Sequence, residues 1–275
     1  MDIINSKILK HFDEKAFINR DPFPFESIQS LIKEEYYETL CDTFPDIKYF
    51  EHRDHWKRND NQKSHEKYLL IYDDFIGNTD NSVIKKGISL GVIWNRLIND
   101  LLSDEYKKFV ARAVNWDIND IDISIEWQML PTGAEQPPHL DGYVKLFPHI
   151  FYFNKDWSDE WGGETVILGF KDKSMHKGDI PIMYDEFDVE HKATCKGNVS
   201  TVAMMGDRSW HGVRPIKNPE GTYRKTMLVV AISKKRTKYI YRKIKLNSFL
   251  SKLFPAPLFK FIKKHTIHKK FRELN

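Results

Sequence analysis

Pro137-Pro138-His139-Leu140-Asp141 reads as an extended segment with an imidazole and a carboxylate two residues apart. On a strand, side chains at i and i+2 point to the same face, so His139 and Asp141 can reach one ion together. Two protein ligands do not close a site. A second His would complete a two-His, one-carboxylate facial set, which fills three positions of an octahedral iron and leaves three open. The third ligand is not local and must come from a strand far along the chain. His211, in Ser209-Trp210-His211-Gly212-Val213, is the candidate. Zinc accepts the same three residues, so the ligands alone leave the metal open.

Outward from that stretch, 275 residues allow one large domain or two small ones, with an ample core. The 41% hydrophobic and 13% aromatic content fits a folded protein and excludes a disordered one. Cys41 and Cys195, the two cysteines, match no metal or redox spacing, which predicts a reducing, cytoplasmic setting without disulfides. The segment from Met1 to Asn5 does not start a signal peptide, and no apolar run is long enough for a membrane span. The net charge of +4 hides an asymmetry: residues 234–275 hold 14 Lys and Arg against one acid, Glu273. The tail thus carries +13 and the body −9, so the tail is a separate electrostatic object.

The periodicity predicts three parts. Residues 1–120 read as helical and brace the core. Ile28, Leu31, Ile32, Tyr36 and Leu40 form a helical stripe within Phe25–Leu40, and Leu90, Ile93, Trp94, Leu97, Ile98 and Leu101 form another within 88–113. Residues 50–70, with His52, His55 and His65, read as a solvated loop or a lid over the site. From Ile121 the period changes to strands: 121–130, Lys145–Phe153, Glu164–Leu168, Val199–Met205, His211–Ile216 and Thr222–Ser233, separated by Gly- and Pro-bearing turns. Phe170–Lys196 reads as an irregular insertion. The expectation is an α+β, mainly β, chain with an antiparallel sandwich or barrel over 121–233 and helices packed outside.

Arg224 follows His211 by one strand and a turn, and Thr226 shares its face while Lys225 alternates away. An inward Arg in a mostly apolar barrel is costly unless it pairs with an anion, and its planar fork suits a carboxylate. Tyr152, in Phe151-Tyr152-Phe153-Asn154, can add a phenol hydrogen bond. A zinc hydrolase has no need of such a clamp, which favours iron. Arg214 is the rival anchor, but it stands at an odd offset from His211 and should face away.

Taken in order, His139-Leu140-Asp141, the run Phe151 to Trp157, Gly162-Gly163-Glu164, Trp210-His211-Gly212 and Arg224-Lys225-Thr226 resemble the 2-oxoglutarate/Fe(II)-dependent dioxygenase superfamily, within it the prolyl 4-hydroxylase-like group. The resemblance covers about Trp127 to Ser233. It implies a double-stranded β-helix (jelly-roll, cupin-like) core. It also implies Fe(II) on His139, Asp141 and His211, and the far carboxylate of 2-oxoglutarate on Arg224 and Tyr152. Thr226 stands where the family often has Ser. The implied reaction consumes O2 and 2-oxoglutarate, releases succinate and carbon dioxide and hydroxylates a C–H bond, with ascorbate admissible as reductant. Asp141 disfavours halogenation, because a carboxylate leaves no vacancy for chloride. The family's Tyr before the first metal His is missing; Gln128 is the polar residue nearest that position.

Small molecules, glycans, lipid-linked sugars and peptidyl proline all remain open as substrates, since the resemblance lies in the co-substrate half of the site. A non-catalytic metal-binding module and a metal hydrolase or isomerase on a related barrel are the competing classes. In the tail, Leu246, Phe249, Leu250, Leu253 and Phe254 make a helical stripe, and 258–274 mixes apolar and basic residues. Packing on the acidic body and contact with an anionic membrane surface both fit, the second making the protein peripheral to a membrane; nucleic acid is disfavoured.

Overall fold

A computed structural model describes residues 1–54, 66–73, 81–172 and 184–253, with side chains to residue 243. The chain divides into two units, Met1–Ser233 and Lys234–Asn275. In chain order the elements are α1 (Ser6–Lys10), α2 (Glu14–Ile18), β1 (Phe25–Gln29), α3 (Glu34–Asp42), β2 (Glu51–Arg53), β3 (Lys67–Ile71), α4 (Val83–Lys86), α5 (Val92–Leu102) and α6 (Asp104–Ala113). There follow β4 (Ile121–Leu130), β5 (Gln136–His139), β6 (Lys145–Tyr152), β7 (Thr165–Phe170), β8 (Phe187–Ala193), β9 (Val199–Ala203), β10 (His211–Val213), β11 (Arg224–Ser233) and α7 (Lys234–Leu253).

The strands form a seven-stranded sheet, β1-β9-β6-β11-β4-β3-β2, and a four-stranded sheet, β5-β10-β7-β8. Every strand pair within them is antiparallel. This is the double-stranded β-helix that the family resemblance implies, and it agrees with the antiparallel sandwich or barrel expected from the strand spacing. Period-2 alternation sorts the large sheet into two faces. Ile121, Ile123, Ile125 and Trp127 of β4 join Met227, Val229 and Ala231 of β11 in the core shared with α5 and α6. Trp94, Leu97, Tyr106 and Phe109 supply the helical side of that core. Glu126 and Gln128, with Thr226 and Leu228 opposite them, face a cavity.

Several expectations need correction. Residues 1–120 are not only helical: β1, β2 and β3 extend the large sheet at both edges. Phe25–Gln29 is a strand because it pairs along the whole of β9, and Ser30, at φ 52°, ends it before α3 begins at Glu34. Ile28 and Leu31 are buried as the helical stripe required, so burial did not discriminate between the two conformations. The 88–113 stretch is two helices, broken at Ser103, which ends α5 and caps α6 through Tyr106 N–H. The part of 50–70 that is described contains β2 and β3; His55 and His65 lie outside the described residues. The 170–196 interval is not all irregular, because β8 within it pairs with β7 and completes the small sheet.

Asp100 in α5 ties down the start of the chain. Its carboxylate accepts the backbone N–H groups of Asp2, Ile3 and Ile4 at 2.7–2.9 Å. Ile4 in turn bridges to Ile32. A buried carboxylate satisfied this way stabilises; removing it would leave buried N–H donors unpaired. In the second unit, α7 runs without a break from Lys234 to Leu253, and residues 258–274 lie outside the described residues. No described helix is long and apolar enough to cross a membrane.

Candidate functional site

The small sheet brings the sequence-predicted ligands together. His211 on β10 stands opposite His139 on β5 and, on its other side, opposite Ile167 on β7. β5 ends at His139, so Asp141 lies just beyond the strand. Each of His139, Asp141 and His211 still offers a ligand atom within 4.8 Å of the others. His211 Nε2 is 3.9 Å from Asp141 Oδ2. His139 Nδ1 lies 2.8 Å from Pro137 O, and His211 Nδ1 lies 2.8 Å from Ser209 O. In each ring Nδ1–H donates to a carbonyl two residues back, which leaves the Nε2 lone pair for a metal. The donor set and its outer hydrogen bonds fit a divalent ion with open positions.

Gly212 explains the Trp-His-Gly sequence. A Cβ there would come within 2.7 Å of Gln136 O and would collide with the Tyr184 hydroxyl, which donates to that same carbonyl. Only glycine lets β10 sit this close to β5 beside the second His.

Asp141 is held ionised. Burial works to raise its carboxyl, but the Lys145 ammonium, then His211 and His139, outweigh it and keep it well below the usual carboxylate range. Lys145 Nζ reaches Asp141 Oδ1 at 2.7 Å. The carboxylate thus has one oxygen toward His211 and the other on Lys145.

The three residues open on a cavity of about 280 Å³ between the sheets. The large sheet contributes Glu126, Gln128, Ile150, Thr201, Thr226 and Leu228, and the small sheet contributes Thr165, Ile167 and Val213. Arg224 lines it at 2% exposure and donates through Nη2 to Thr165 Oγ1 at 2.9 Å. Its Nε is buried and has no hydrogen-bond partner. Gly163, at φ 79°, lets the chain pass Arg224: a Cβ there would lie 3.2 Å from its Cδ. Tyr152 is buried and is not a lining residue. Its hydroxyl donates to Thr165 Oγ1 at 3.1 Å, and its ring lies 5.3 Å from the Arg224 guanidinium. Arg214 is not a lining residue either; its guanidinium stacks 4.3 Å over Tyr184.

Sequence reasoning missed Thr165, Thr201, Lys67, Glu126 and Lys145, all of which line the cavity. Lys145 lies four residues after Asp141, a spacing readable in the sequence. Thr165 precedes the cavity-facing Ile167 by two, so strand alternation could have found it.

No protein-family model and no curated protein matches the chain. Solved structures do. A prolyl 4-hydroxylase of Pseudomonas putida matches with a TM-score of 0.52 at 12% identity, over 82% of this chain and 99% of that one. A Trichoplax adhaerens prolyl hydroxylase, solved with a hypoxia-inducible-factor peptide, matches with 0.52 at 10% identity, over 85% and 93%. The non-heme α-ketoglutarate-dependent epimerase SnoN of nogalamycin biosynthesis matches with 0.50 at 10% identity, over 83% and 84%. The chain has the fold of the 2-oxoglutarate/Fe(II) oxygenases, prolyl 4-hydroxylase-like structures among them.

Proposed function

We propose that the chain is an Fe(II)- and 2-oxoglutarate-dependent oxygenase that hydroxylates an unactivated C–H bond. The observation that carries this reading is Arg224. A buried guanidinium with an unpaired Nε, facing the same cavity as His139, Asp141 and His211, is costly unless an anion occupies that cavity. A non-catalytic metal module or a metal hydrolase would have no use for it.

His139, Asp141 and His211 hold the iron. Arg224 takes the far carboxylate of 2-oxoglutarate, with Thr165 fixing the fork and Tyr152 fixing Thr165 from behind. Thr226 stands beside Arg224 on the same face of β11. Bound together, iron, 2-oxoglutarate and O2 supply the power to insert one oxygen into a C–H bond, with succinate and carbon dioxide as by-products and ascorbate as an accessory reductant. The protein orients the co-substrate, keeps Asp141 ionised and lines the reacting space with Ile150, Ile167, Val213 and Leu228, which exclude water. SnoN is an epimerase on this fold, so hydroxylation is the specific commitment here and stereoinversion the rival outcome.

Succinate release tests the reading. Anaerobically purified protein, given Fe(II), 2-oxoglutarate and then O2, should form succinate, and Arg224→Ala should not at matched 2-oxoglutarate. Equal succinate from both proteins would contradict it. The substrate, a small molecule, a glycan or lipid-linked sugar, or a peptide, is found by comparing metabolites of a deletion strain and its parent for a difference of one oxygen atom. For the tail we infer an anionic surface as partner, supported by a 20-residue α7 with no acidic residue.

A further inference from the structure

Two lysines line the same cavity as the metal-ligand candidates: Lys145 already holds Asp141 ionised, and Lys67 has no role so far. Lys67 stands on β3, two residues before Leu69, which pairs with the cavity-lining Gln128; alternation puts Lys67 on that face. Lys145 opens β6 and spends one N–H on Asp141 Oδ1, leaving two donors. No described carboxylate lies within ion-pair distance of Lys67. Burial pushes its ammonium down from the ordinary value, and Glu126, the strongest opposing influence, only partly restores it.

The charges in the cavity do not balance. Lys67, Lys145 and Arg224 are cations, and Glu126 and Asp141 are the carboxylates. A divalent ion on Asp141 and a doubly charged 2-oxoglutarate on Arg224 cancel each other, so one positive charge remains in excess. Arg224 and Thr165 are matched to the co-substrate, which puts the excess on the lysines. An ammonium drawn partly out of water and left unpaired is a standing cost that a ligand anion would offset.

We propose that the prime substrate presents an anionic group, a carboxylate or a phosphate, to Lys67, with Lys145 as the second donor. The proposal rests on the oxygenase reading and narrows its substrate class. Lys145 is already anchored on Asp141, so an anion shared between the two lysines is seated beside the metal ligands, where a substrate C–H must lie. Neutral sugars and peptides without an acidic group are disfavoured.

The test uses full-length protein loaded with zinc and 2-oxoglutarate, a complex that does not turn over. Acetate, methyl phosphate and neutral acetamide are titrated calorimetrically at constant ionic strength into wild type, Lys67→Met and Lys67→Arg. At least one anion should bind saturably to wild type, and the tighter of the two names the source. Lys67→Met should weaken it by about tenfold or more, the scale of one charge-assisted hydrogen bond. Lys67→Arg should restore most of the affinity, and 2-oxoglutarate affinity should be equal in all three proteins. Unchanged anion affinity in Lys67→Met, acetamide binding as tightly as acetate, or no saturable anion binding to wild type would each overturn the proposal. A loss of 2-oxoglutarate affinity in Lys67→Met would overturn it too, by making Lys67 part of the co-substrate anchor. Failure of wild type to bind 2-oxoglutarate at all is seen before any anion is added, and it sinks the oxygenase reading itself.

Discussion

The imidazoles of His139 and His211 face each other from adjacent strands with ring centroids 4.4 Å apart. Both are pinned by carbonyls two residues back, Pro137 O and Ser209 O, so neither ring can turn its Nε2 away without losing a hydrogen bond. His139→Ala or His211→Ala should therefore lower metal affinity by more than about 100-fold, beyond the usual effect of losing an outer partner of a ligand. The melting temperature of the metal-free protein should change little. Metal content by mass spectrometry after dialysis checks this; full retention in either variant removes that His from the site.

Arg224→Ala should raise the apparent KM for 2-oxoglutarate by the equivalent of about 2–5 kcal/mol, because the co-substrate carboxylate would be left buried and unpaired. Metal affinity should hold. Arg214→Ala should leave the KM unchanged, since Arg214 stacks on Tyr184 outside the cavity lining. The reverse pattern would make Arg214 the anchor.

Thr165→Val removes the acceptor that both Arg224 and Tyr152 use. Losing a hydrogen bond to a charged group is worth about 1.5–3 kcal/mol, so the 2-oxoglutarate KM should rise about tenfold or more with metal binding intact. An unchanged KM would show that Arg224 needs no second residue to hold its fork.

His149 offers a pH test of the fold. Its ring is buried between the sheet and α6, with Tyr106 Oη 2.8 Å from Nδ1 and Nε2 without a partner. Burial pulls its value from 6.5 to about 3. Between those values the unfolded chain binds a proton that the native state refuses. The stability is therefore fully present above about pH 6.5 and is lost toward pH 3, at roughly 1.4 kcal/mol per pH unit. Urea unfolding should show this slope in wild type and a shallower one in His149→Phe. Equal slopes would mean that His149 is not neutral in the fold.

For the tail, full-length protein should bind anionic vesicles and release them as salt rises, at about 1 kcal/mol for each Lys or Arg near the surface. Protein ending at Ser233 should not bind. Equal binding to neutral vesicles would remove the electrostatic account, and a lowered melting temperature of the shortened protein with no vesicle binding would favour packing on the body.

The strands from Ile121 onward were legible because period-2 alternation there coincides with turn residues, and the His-x-Asp and Trp-His-Gly segments are short and local. Phe25–Gln29 was not, because its apolar spacing suits a helix as well as a strand and only β9, far along the chain, decides between them. β8 was hidden for a related reason. Its alternating Asp188, Glu190 and Lys192 read as a loop until pairing with β7 supplies the hydrogen bonds. Arg224 was found from its offset to His211, whereas the partner that fixes it, Thr165, comes from the other sheet. Lys67 was out of reach, since nothing local in a polar segment says that β3 will join the large sheet and bring a cation to the cavity.

In the proposed reading one cavity holds metal and 2-oxoglutarate together. Anaerobic Fe(II) protein titrated with 2-oxoglutarate should develop a visible metal-to-ligand charge-transfer band, saturating at one equivalent. The band should be absent in His211→Ala and shifted to higher 2-oxoglutarate concentrations in Arg224→Ala. An iron-loaded protein that takes up 2-oxoglutarate without the band, or takes up none, would contradict the claim.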